Sequence, residues 1–374
     1  MDNIGALVLV GGEGKRLKGL TKNVAKPYVS FFGKYRLIDF TLSSLSMSHI
    51  SDVGLITQYK PFELMKYIGN GSNWDLNIDS NGISFLTPHS TGGSLTIQKG
   101  TANAVLSEID YVKSIDAEYI LILSGDQVYR MDFREVLDFH KKNNASLTII
   151  SYEYENKKDL SRFGIIEADE KGRIKSFEEK PKKPKSNLVS MGIYLFNKST
   201  LLKYITLADK LTDFGKDLIP YIISHEKKVY TFKNNRIFFD LGTVESLFNA
   251  NMFFLDNFEL AKDTHTEKVY SKPLNYPPHI IRGLSDVKES LVSDGVIINS
   301  SKVYHSVISL GSKVNKGSNI SYSVILPDAV IGENSVIKNA IIDEGLTIND
   351  NSTLVFSEPT LVDKYSYKDG KYNG

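Results

Sequence analysis

The chain has 374 residues, with 45 lysines and arginines against 44 aspartates and glutamates, and no cysteine. This length is enough for two domains with a sizeable hydrophobic core. The near-neutral charge gives no basic excess of the kind that binds nucleic acid or an anionic membrane, so neither partner is expected. The lack of cysteine excludes disulfides and thiolate metal sites. The first apolar run is too short for a signal peptide or a membrane span, so we expect a soluble, cytoplasmic protein.

Short aliphatic runs alternate with amphipathic segments up to about residue 255, and the aliphatic runs have the pattern of buried strands. These runs are ALVLV at 6–10, VGLIT at 53–57, YILILSG at 119–125 and SLTIISYEY at 146–154. The segments 101–112 and 133–144 have the pattern of helices. The alternation predicts a doubly wound α/β fold with a mainly parallel sheet, whose ligands bind at the carboxyl ends of the strands.

The polar segment 257–285 contains several prolines and predicts a linker between a domain at 1–256 and a second domain at 286–374. In the second domain aliphatic residues recur every six positions, in two blocks. They are Ile308, Val314, Ile320, Val330, Val336, Ile342, Ile348 and Leu354. This period fits neither a helix nor a flat strand, and it predicts a left-handed β-helix of hexapeptide repeats. The alternative is a β-sandwich, which the unbroken period of the second block disfavours.

A glycine-rich turn follows the first predicted strand, in the sequence LVLVGGEGKRL at 7–17. It lacks the GxxxxGK[ST] motif, and it departs from the dinucleotide fingerprint because Leu17 stands at the third glycine position. Glycines let backbone N–H groups approach an anion closely, and Lys15 and Arg16 can neutralise its charge. A tight turn with solvated basic residues explains the same pattern, and this stretch by itself does not separate the two interpretations.

An ordered series of motifs extends over nearly the whole chain. It comprises GGEGKRLKGLTKNVAKPYVSFFGKYRLIDFTLS, VGLITQYK, GTANAV, LILSGDQVYRMDF, FGIIEADEKGRIKSFEEKP, SMGIYLFN, DFGKDLIP and DLGTVESLFNANM. This series resembles the nucleotide-sugar pyrophosphorylases, and most closely the bacterial ADP-glucose pyrophosphorylases, which carry a C-terminal hexapeptide domain. The resemblance implies that ATP and glucose 1-phosphate react with Mg²⁺ to give ADP-glucose and pyrophosphate, for glycogen or starch synthesis. It also implies a homotetramer, or a heterotetramer with a related subunit.

The reaction that the resemblance implies brings two polyanions together, because a phosphate oxygen of the sugar attacks the α-phosphorus of ATP. Such a site needs cations, backbone donors and a divalent metal held by carboxylates. The resemblance assigns ATP binding to Gly11, Gly12, Gly14, Lys15, Arg16 and Lys26. It assigns catalysis to Arg16, Asp126 and Asp240, of which the two aspartates correspond to the family's metal ligands. A single aspartate after a strand is otherwise most often a helix cap or a turn residue.

The pocket for glucose 1-phosphate is implied by the same resemblance. Its residues would be Gln98, Gly164, Glu179, Lys180 and Ser190. Lys180 would pair with the phosphate of the sugar, and Glu179 would accept hydrogen bonds from hydroxyl groups. The neighbouring Lys182, Lys183 and Lys185 have the pattern of a solvated charged loop.

The sequence departs from the family pattern at five positions. Ile97 and Gln98 replace a tryptophan and a tyrosine beside the substrate pocket. Phe239 replaces a basic residue before the second metal aspartate, and Asn103 replaces an aspartate. Val24 replaces an arginine in a region linked to effector binding. These replacements predict an active but weakly regulated enzyme, slow by itself and assisted by a partner subunit.

Three other functions are compatible with parts of the sequence. A regulatory subunit without catalysis would be expected to lose the glycine loop or Asp126 first. A sugar nucleotidyltransferase that uses UTP, GTP or dTTP would share most of the motifs, but the FGKYRLIDFTLS segment and the hexapeptide domain favour ATP. The hexapeptide repeat alone suggests an acyltransferase, for which His305 is the only histidine of the repeat region.

Overall fold

A mainly parallel nine-stranded sheet forms the centre of the N-terminal half among the described residues. The structure is a computed structural model, and it describes residues 3–77, 82–87, 90–91, 94–95, 100–154, 157–261 and 268–373. The strands of the sheet are β1 (Ile4–Leu9), β2 (Asp52–Ile56), β3 (Gly82–Leu86), β4 (Tyr119–Ser124), β5 (Leu147–Glu153), β6 (Gly164–Ala168), β7 (Ile174–Glu179), β8 (Leu188–Asn197) and β9 (Val229–Asn234). Their order is β7-β6-β8-β4-β1-β2-β3, and β5 lies between β8 and β9.

The strands predicted near residues 6, 53, 119 and 146 are confirmed as β1, β2, β4 and β5. Strand β1 is parallel to β2 and β4, whereas β8 is antiparallel to β4 and β5. Alternate residues of β1 enter different clusters, because Ala6 and Val8 pack in one hydrophobic core and Leu7 packs in another. Both faces of the sheet are thus covered, which explains why these strands are continuous apolar runs in the sequence.

Nine helices lie among the described residues. They are α1 (Leu37–Met47), α2 (Phe62–Ile68), α3 (Thr101–Ser107), α4 (Ile109–Ser114), α5 (Phe133–Lys142), α6 (Lys198–Ile205), α7 (Ile219–His225), α8 (Val244–Asp256) and α9 (Phe258–Ala261). Helices α1 and α3 to α7 pack on the two faces of this sheet, whereas α8 packs against the C-terminal half. The helix predicted over 133–144 is confirmed as α5, whereas the one predicted over 101–112 is divided into α3 and α4. The division falls at Glu108, whose backbone leaves the helical region with φ −104° and ψ 23°. Among the described residues, we find no helix with the length and apolar character needed to cross a membrane.

Shorter elements complete the N-terminal half among the described residues. The 3₁₀ turns are Lys15–Thr21, Lys26–Tyr28, Ser72–Trp74 and Lys157–Arg162, and Phe214–Leu218 forms a π-helical turn. Three two-stranded ribbons pair Ser30–Phe31 with Tyr35–Arg36, Ser90–Thr91 with Ser94–Leu95, and Gln127–Tyr129 with Phe238–Asp240. The last ribbon joins two distant parts of the chain at the carboxyl end of β4.

The C-terminal half consists of short parallel strands, consistent with a left-handed β-helix. The strands are Ile280–Arg282, Asp286–Lys288, Leu291–Val292, Ile297–Asn299, Lys302–Tyr304, Val307–Ile308, Lys313–Val314, Asn319–Ser321, Val324–Ile325, Val330–Ile331, Val336–Ile342, Thr347–Ile348 and Thr353–Val362, and a final hairpin pairs Tyr367–Lys368 with Lys371–Tyr372. The coils between Lys302 and Thr353 contain 17 residues, as the hydrogen bonds from Ser318 N to Ser301 Oγ and from Ser335 N to Ser318 Oγ show, whereas the preceding coil, from Asp286 to Lys302, contains 16.

The prediction of a constant six-residue period is wrong at two positions. Ile308, Val314, Ile320, Ile342, Ile348 and Leu354 fill the interior, but Val330 is only partly buried and Val336 is 38% exposed. Their neighbours Ile331 and Ile337 are fully buried instead. The reason is the coil length, because 17 residues over three faces give two steps of six and one step of five. The short step moves the inward position by one residue.

The predicted linker 257–285 includes α9, and its described part from 268 to 279 contains no helix or strand. Tyr270 in this part is held by the N-terminal half, since its backbone oxygen accepts a hydrogen bond from Trp74 Nε1 at 3.1 Å. The backbone N–H of Tyr270 donates to Ser43 Oγ at 2.8 Å. The domain boundaries at residues 256 and 285 stay a prediction.

Candidate active site

The ribbon at the end of β4 brings the two predicted metal aspartates to the same place. Asp126 follows β4 after one glycine, as expected for a ligand at the carboxyl edge of the sheet. Asp240 ends the strand Phe238–Asp240, which pairs antiparallel with Gln127–Tyr129 and places Asp240 opposite Gln127. The two aspartates are far apart in sequence, and this strand pairing makes them neighbours.

Lys26 lies between the two carboxylates. Its Nζ is 2.8 Å from Asp126 Oδ2 and 3.8 Å from Asp240 Oδ1, and only 7% of its side chain is exposed. Ser124 Oγ donates a further hydrogen bond to Asp126 Oδ1 at 2.5 Å. Burial alone would raise the pKa of Asp126, but the charge and hydrogen bond of Lys26 hold it below its ordinary value. Asp126 is therefore an ionised carboxylate that faces the cleft.

This donor set fits one hard divalent cation. Among the described residues there is no group of three or more histidine, aspartate and glutamate side chains that could hold a metal by itself. Mg²⁺ is commonly bound by only one or two carboxylates, and it completes its shell with water and substrate phosphates. Asp126 and Asp240 supply that number of carboxylates, so the residues present fit a metal that binds together with a phosphorylated substrate.

The glycine loop forms one wall of the cleft. Gly12 and Arg16 line the cleft, whose volume is about 370 Å³. A Cβ at Gly12 would meet no atom within 4 Å, so the backbone there faces open space. Gly14 has a φ of +61°, and a Cβ there would be 3.2 Å from Lys26 Cβ. Gly11 lines an adjoining groove together with Gln58.

Lys15 differs from the other residues of this loop. Its Nζ is 2.9 Å from Glu13 Oε2, and 79% of its side chain is exposed. It does not contribute to the lining of the cleft. Arg16 instead packs close to Gly242, where a Cβ would be 2.8 Å from its Nη2 and 3.3 Å from Asp240 Oδ2. Of the two basic residues in the loop, Arg16 is thus the one that faces the aspartates.

The opposite wall of the cleft carries the predicted sugar-phosphate residues. Glu179 ends β7 opposite Gly164, the first residue of β6. A Cβ at Gly164 would be 2.9 Å from Glu179 Oε2, and one at Gly215 would be 2.6 Å away, so both glycines make room for this carboxylate. Lys180 Nζ is 2.7 Å from Glu179 Oε1. Ser190 is buried on β8, and its Oγ accepts a hydrogen bond from Gly192 N at 3.1 Å.

Lys180 has a strained backbone. Its φ is +50°, which is uncommon for a residue with a side chain. Its N–H donates to the backbone oxygen of Phe163 at 2.9 Å. The left-handed conformation directs the chain out of β7 at the cleft, where the 62% exposed Lys180 side chain meets solvent.

Several predicted residues lie outside the cleft or outside the described part of the chain. Gln98 and Ile97 fall in the segment that the structure does not describe. Phe239 packs against Phe253 and Phe254, with 5.0 Å between the ring centroids of the first pair. Because side chains alternate along a strand, position 239 faces away from the side on which Asp240 lies. The side chain at position 239 therefore does not contribute to the charge of this cleft.

The cleft also contains residues that the sequence analysis did not assign. They include Thr101, Gln127, Arg162, Asp213 and Tyr194. Thr101 Oγ1 donates to Asp213 Oδ2 at 3.0 Å and accepts from Phe214 N at 3.0 Å, which joins the GTANAV and DFGKD motifs. Both motifs were part of the resemblance, so their place in the cleft had a signal in the sequence. Arg162 had no such signal in the sequence, because it lies just before the FGI motif and is not part of it.

Comparison with known proteins supports this description of the fold. Residues 5–257 match the nucleotidyl transferase family model, and residues 282–361 match the GlmU-like C-terminal hexapeptide model. The chain accordingly consists of a nucleotidyltransferase domain followed by a hexapeptide domain.

Three individual relatives identify the family more specifically. The chain is 44% identical over 323 residues to glucose-1-phosphate adenylyltransferase of Bacillus subtilis (strain 168), with 84% of each chain covered. It is 46% identical over 323 residues to the protein of the same name from Clostridium acetobutylicum, again with 84% of each chain covered. It is 43% identical over 330 residues to that of Bacillus cytotoxicus, with 86% of this chain and 87% of the relative covered. The chain belongs to the glucose-1-phosphate adenylyltransferase family.

Proposed function

We propose that this protein transfers AMP from ATP to glucose 1-phosphate, and that it forms ADP-glucose and pyrophosphate for glucan synthesis. One observation carries the proposal: a single cleft joins the pair Asp126 and Asp240, with Lys26 between them, to Glu179 and Lys180 on the opposite wall. Two polyanionic substrates need such a set of cations and carboxylates around the reacting phosphates. The names of the relatives agree with this reaction.

ATP binds on the glycine-loop side in this proposal. The backbone of Gly11, Gly12 and Gly14 approaches the triphosphate, because these residues leave space beside it. Arg16 and Lys26 neutralise its charge. Lys15 reaches the phosphates after it leaves Glu13, which its exposure allows.

Glucose 1-phosphate binds on the opposite wall. Lys180 pairs with the sugar phosphate, and Glu179 accepts hydrogen bonds from hydroxyl groups. Gly164 and Ser190 complete the wall, where Gly164 admits the Glu179 carboxylate and Ser190 presents a hydroxyl. Gln98 is assigned to this pocket by resemblance alone.

The transfer is an in-line displacement at phosphorus. A phosphate oxygen of glucose 1-phosphate forms a bond to the α-phosphorus of ATP, while the bond from that phosphorus to the bridging oxygen of the β-phosphate breaks. Pyrophosphate leaves with the electron pair, and no proton has to be removed from the attacking oxygen. Mg²⁺ held by Asp126 and Asp240 supplies neutralising charge at the phosphates when it is bound. The protein's own contribution is to hold both substrates in line and to place Arg16 and Lys26 at the developing charge.

We propose a homotetramer, or a heterotetramer with a related subunit, as the assembled form. The hexapeptide domain has a regular outer surface that carries partly exposed apolar residues, among them Tyr304, Tyr322 and Val355. Light scattering at micromolar concentration tests this assembly, since a monomer mass for the purified chain mixed with its candidate partner would contradict it.

Pyrophosphate release with glucose 1-phosphate and each of ATP, UTP, GTP and dTTP tests the reaction. ATP should be the best donor, and EDTA should stop turnover and Mg²⁺ restore it. A higher rate with another nucleotide would replace the proposal with that of a different sugar nucleotidyltransferase. No release with any nucleotide, alone or with a partner, would favour a regulatory subunit.

A further inference from the structure

Arg162 places a buried guanidinium edge in the cleft without a full set of partners. Its Nη2 lies 4.0 Å from Asp240 Oδ2, at the outer limit of an ion pair, and 23% of its side chain is exposed. Its Nε is buried and has no hydrogen-bond partner among the described residues. The guanidinium lies over the ring of Phe163, with 5.4 Å to the ring centroid. The side chain is thus packed against Phe163, it is partly exposed in the cleft, and its enclosed Nε–H has no acceptor among the described residues.

A buried N–H group without an acceptor is costly, and native structures seldom leave one so. The Nε–H and one Nη–H of an arginine form an edge that matches two oxygens of a phosphate. Carboxylate partners do not account for this edge, because the contact of Arg162 with Asp240 is long and involves Nη2 only. A tetrahedral oxyanion of a bound substrate would offer acceptors of the kind that this guanidinium lacks.

The neighbours of Arg162 indicate which phosphate this is. Arg162 and Phe163 lead directly into Gly164 of the sugar wall, and the Phe163 carbonyl accepts a hydrogen bond from Lys180 N. On the other side, Asp240 already shares Lys26 with Asp126. Arg162 therefore lies between the sugar wall and the metal aspartates, where the attacking phosphate has to approach the α-phosphorus.

We propose that Arg162 binds the phosphate of glucose 1-phosphate and orients its attacking oxygen toward the α-phosphorus. This rests on the proposed function and assigns one more binding residue to the same reaction. Lys180 holds the outer side of that phosphate as a mobile point charge, whereas Arg162 holds its inner side through two parallel hydrogen bonds. Arg162 thereby supplies a cation beside Asp240 that the residue at position 239 does not provide.

The test measures glucose 1-phosphate binding by calorimetry and steady-state kinetics for R162Q and R162K. Loss of a charge-assisted contact should weaken glucose 1-phosphate binding roughly ten- to a hundredfold in R162Q. R162K should recover only part of this, because an ammonium cannot make the two-donor contact. The KM for ATP should change less than threefold in both variants. The matched control is R134Q, since Arg134 is an exposed arginine that pairs with Asp132 on the surface.

The role of Arg162 would be overturned if R162Q bound both substrates equally more weakly, or if its binding of glucose 1-phosphate were unchanged. Calorimetry separates this result from a failure of the proposed function, because it reads binding even if the wild type releases no pyrophosphate. Wild-type protein that does not bind glucose 1-phosphate at all would overturn both proposals. If R162Q has a lowered unfolding temperature, the test uses R162K and compares its KM values with its kcat. A merely structural role would not weaken the binding of one substrate selectively.

Discussion

Lys26 balances the charge of the cleft at the scale of single residues. It is almost fully buried, and two carboxylates within 4 Å offset the cost of placing an ammonium there. The same arrangement holds the pKa of Asp126 below its ordinary value and keeps this carboxylate ionised next to a cation. The charges of this site are thus already paired before substrate phosphates and a metal bind. On binding, Lys26 and the aspartates exchange one charged partner for another, so that no unpaired charge has to lose its water.

The aspartate pair gives the first prediction. D126N and D240N should each lower kcat by at least roughly a hundredfold, because each removes a charge that neutralises the reacting phosphates. D126N should also lower the free energy of unfolding by about 1–3 kcal/mol, since the 2.8 Å contact with buried Lys26 loses its charge. D240N should change stability less, because its contact with Lys26 is 3.8 Å. Pyrophosphate release and thermal unfolding measure the two effects.

The control for this prediction is D110N, since Asp110 is an almost fully exposed aspartate in a surface pair with Lys113. It should have normal turnover and stability. Near-normal activity in either cleft variant would remove that aspartate from the proposed metal site.

Lys180 gives the second prediction. K180A should raise the KM for glucose 1-phosphate at least roughly tenfold and leave the KM for ATP within a factor of three, since the lost cation faces only one substrate. The matched control is K182A, which removes an exposed lysine two positions further on. Initial rates with one substrate varied and the other saturating measure the effect. An equal rise for both substrates would place Lys180 outside the sugar-phosphate pocket.

Part of this site could be predicted from the sequence and part could not. Asp126 follows an apolar strand, and the edge of a parallel sheet where it lies is where ligands bind. The position of Lys26 between two aspartates depends on the ribbon formed by Gln127–Tyr129 and Phe238–Asp240, which pairs distant segments without a local signal. Arg162 was missed for a similar reason, because its meaning comes from an orphaned Nε that only three-dimensional packing reveals.

At the scale of elements, the spacing of inward residues in the β-helix differs from the constant six-residue period predicted from the sequence. Two serine columns stack along the coils, and in one of them Ser318 N donates to Ser301 Oγ at 3.1 Å. These side chains satisfy backbone groups at corners where the chain turns. Where a coil has 17 residues, an aliphatic pattern read every six residues drifts out of step with the interior. The fold class follows from the sequence pattern, but the register follows from the coil length.

Adjacent residues of one strand test this register. I337A should lower the free energy of unfolding by about 2–4 kcal/mol, because a fully buried aliphatic side chain leaves a cavity. V336A should lower the free energy of unfolding by less than about 1 kcal/mol, since Val336 is 38% exposed. Denaturant unfolding measures both. The reverse order of the two losses would restore the simple six-residue register.

The divided helix of 101–114 is a second difference that the sequence pattern does not reveal. Its apolar residues repeat with helical spacing, but Glu108 takes a non-helical conformation, so α3 and α4 run as separate segments. The start of α3 is held from outside, because Ala102 N and Asn103 N both donate to the backbone oxygen of Thr212. This contact ties the GTANAV motif to the DFGKD loop. Such long-range contacts override the periodicity of a short segment.

At the scale of the whole molecule, the two halves share an ion pair between a buried arginine and a partly exposed glutamate. Arg36 forms two hydrogen bonds to the carboxylate of Glu344, at 2.7 and 2.9 Å, and only 8% of the Arg36 side chain is exposed. Burial opposes ionisation of Glu344, but the hydrogen bond and charge of Arg36 hold its pKa below the ordinary value. The pair lies in a groove between the halves, with Val24 and Lys364 also in its wall.

The residues of this groove favour the prediction of a weak response to anionic effectors. Val24 provides no donor or charge for an anion, and Arg36 is already occupied by Glu344 through both arms of its guanidinium. A phosphorylated effector would have to displace the Glu344 carboxylate before it could use Arg36. Lys364 is the other cation of the groove wall among the residues described. The groove therefore offers little binding energy to a sugar phosphate.

The last prediction follows from this arrangement. Fructose 1,6-bisphosphate, fructose 6-phosphate and 3-phosphoglycerate should activate the wild type only weakly in pyrophosphate-release assays. V24R adds a guanidinium to the groove wall, and one new charge-assisted contact should lower the half-maximal effector concentration roughly ten- to a hundredfold. V24L is the matched control, because it changes size without adding a donor and should respond as the wild type does. Activation of the wild type at low effector concentration would show that the Arg36–Glu344 pair opens readily and that Val24 does not limit effector binding.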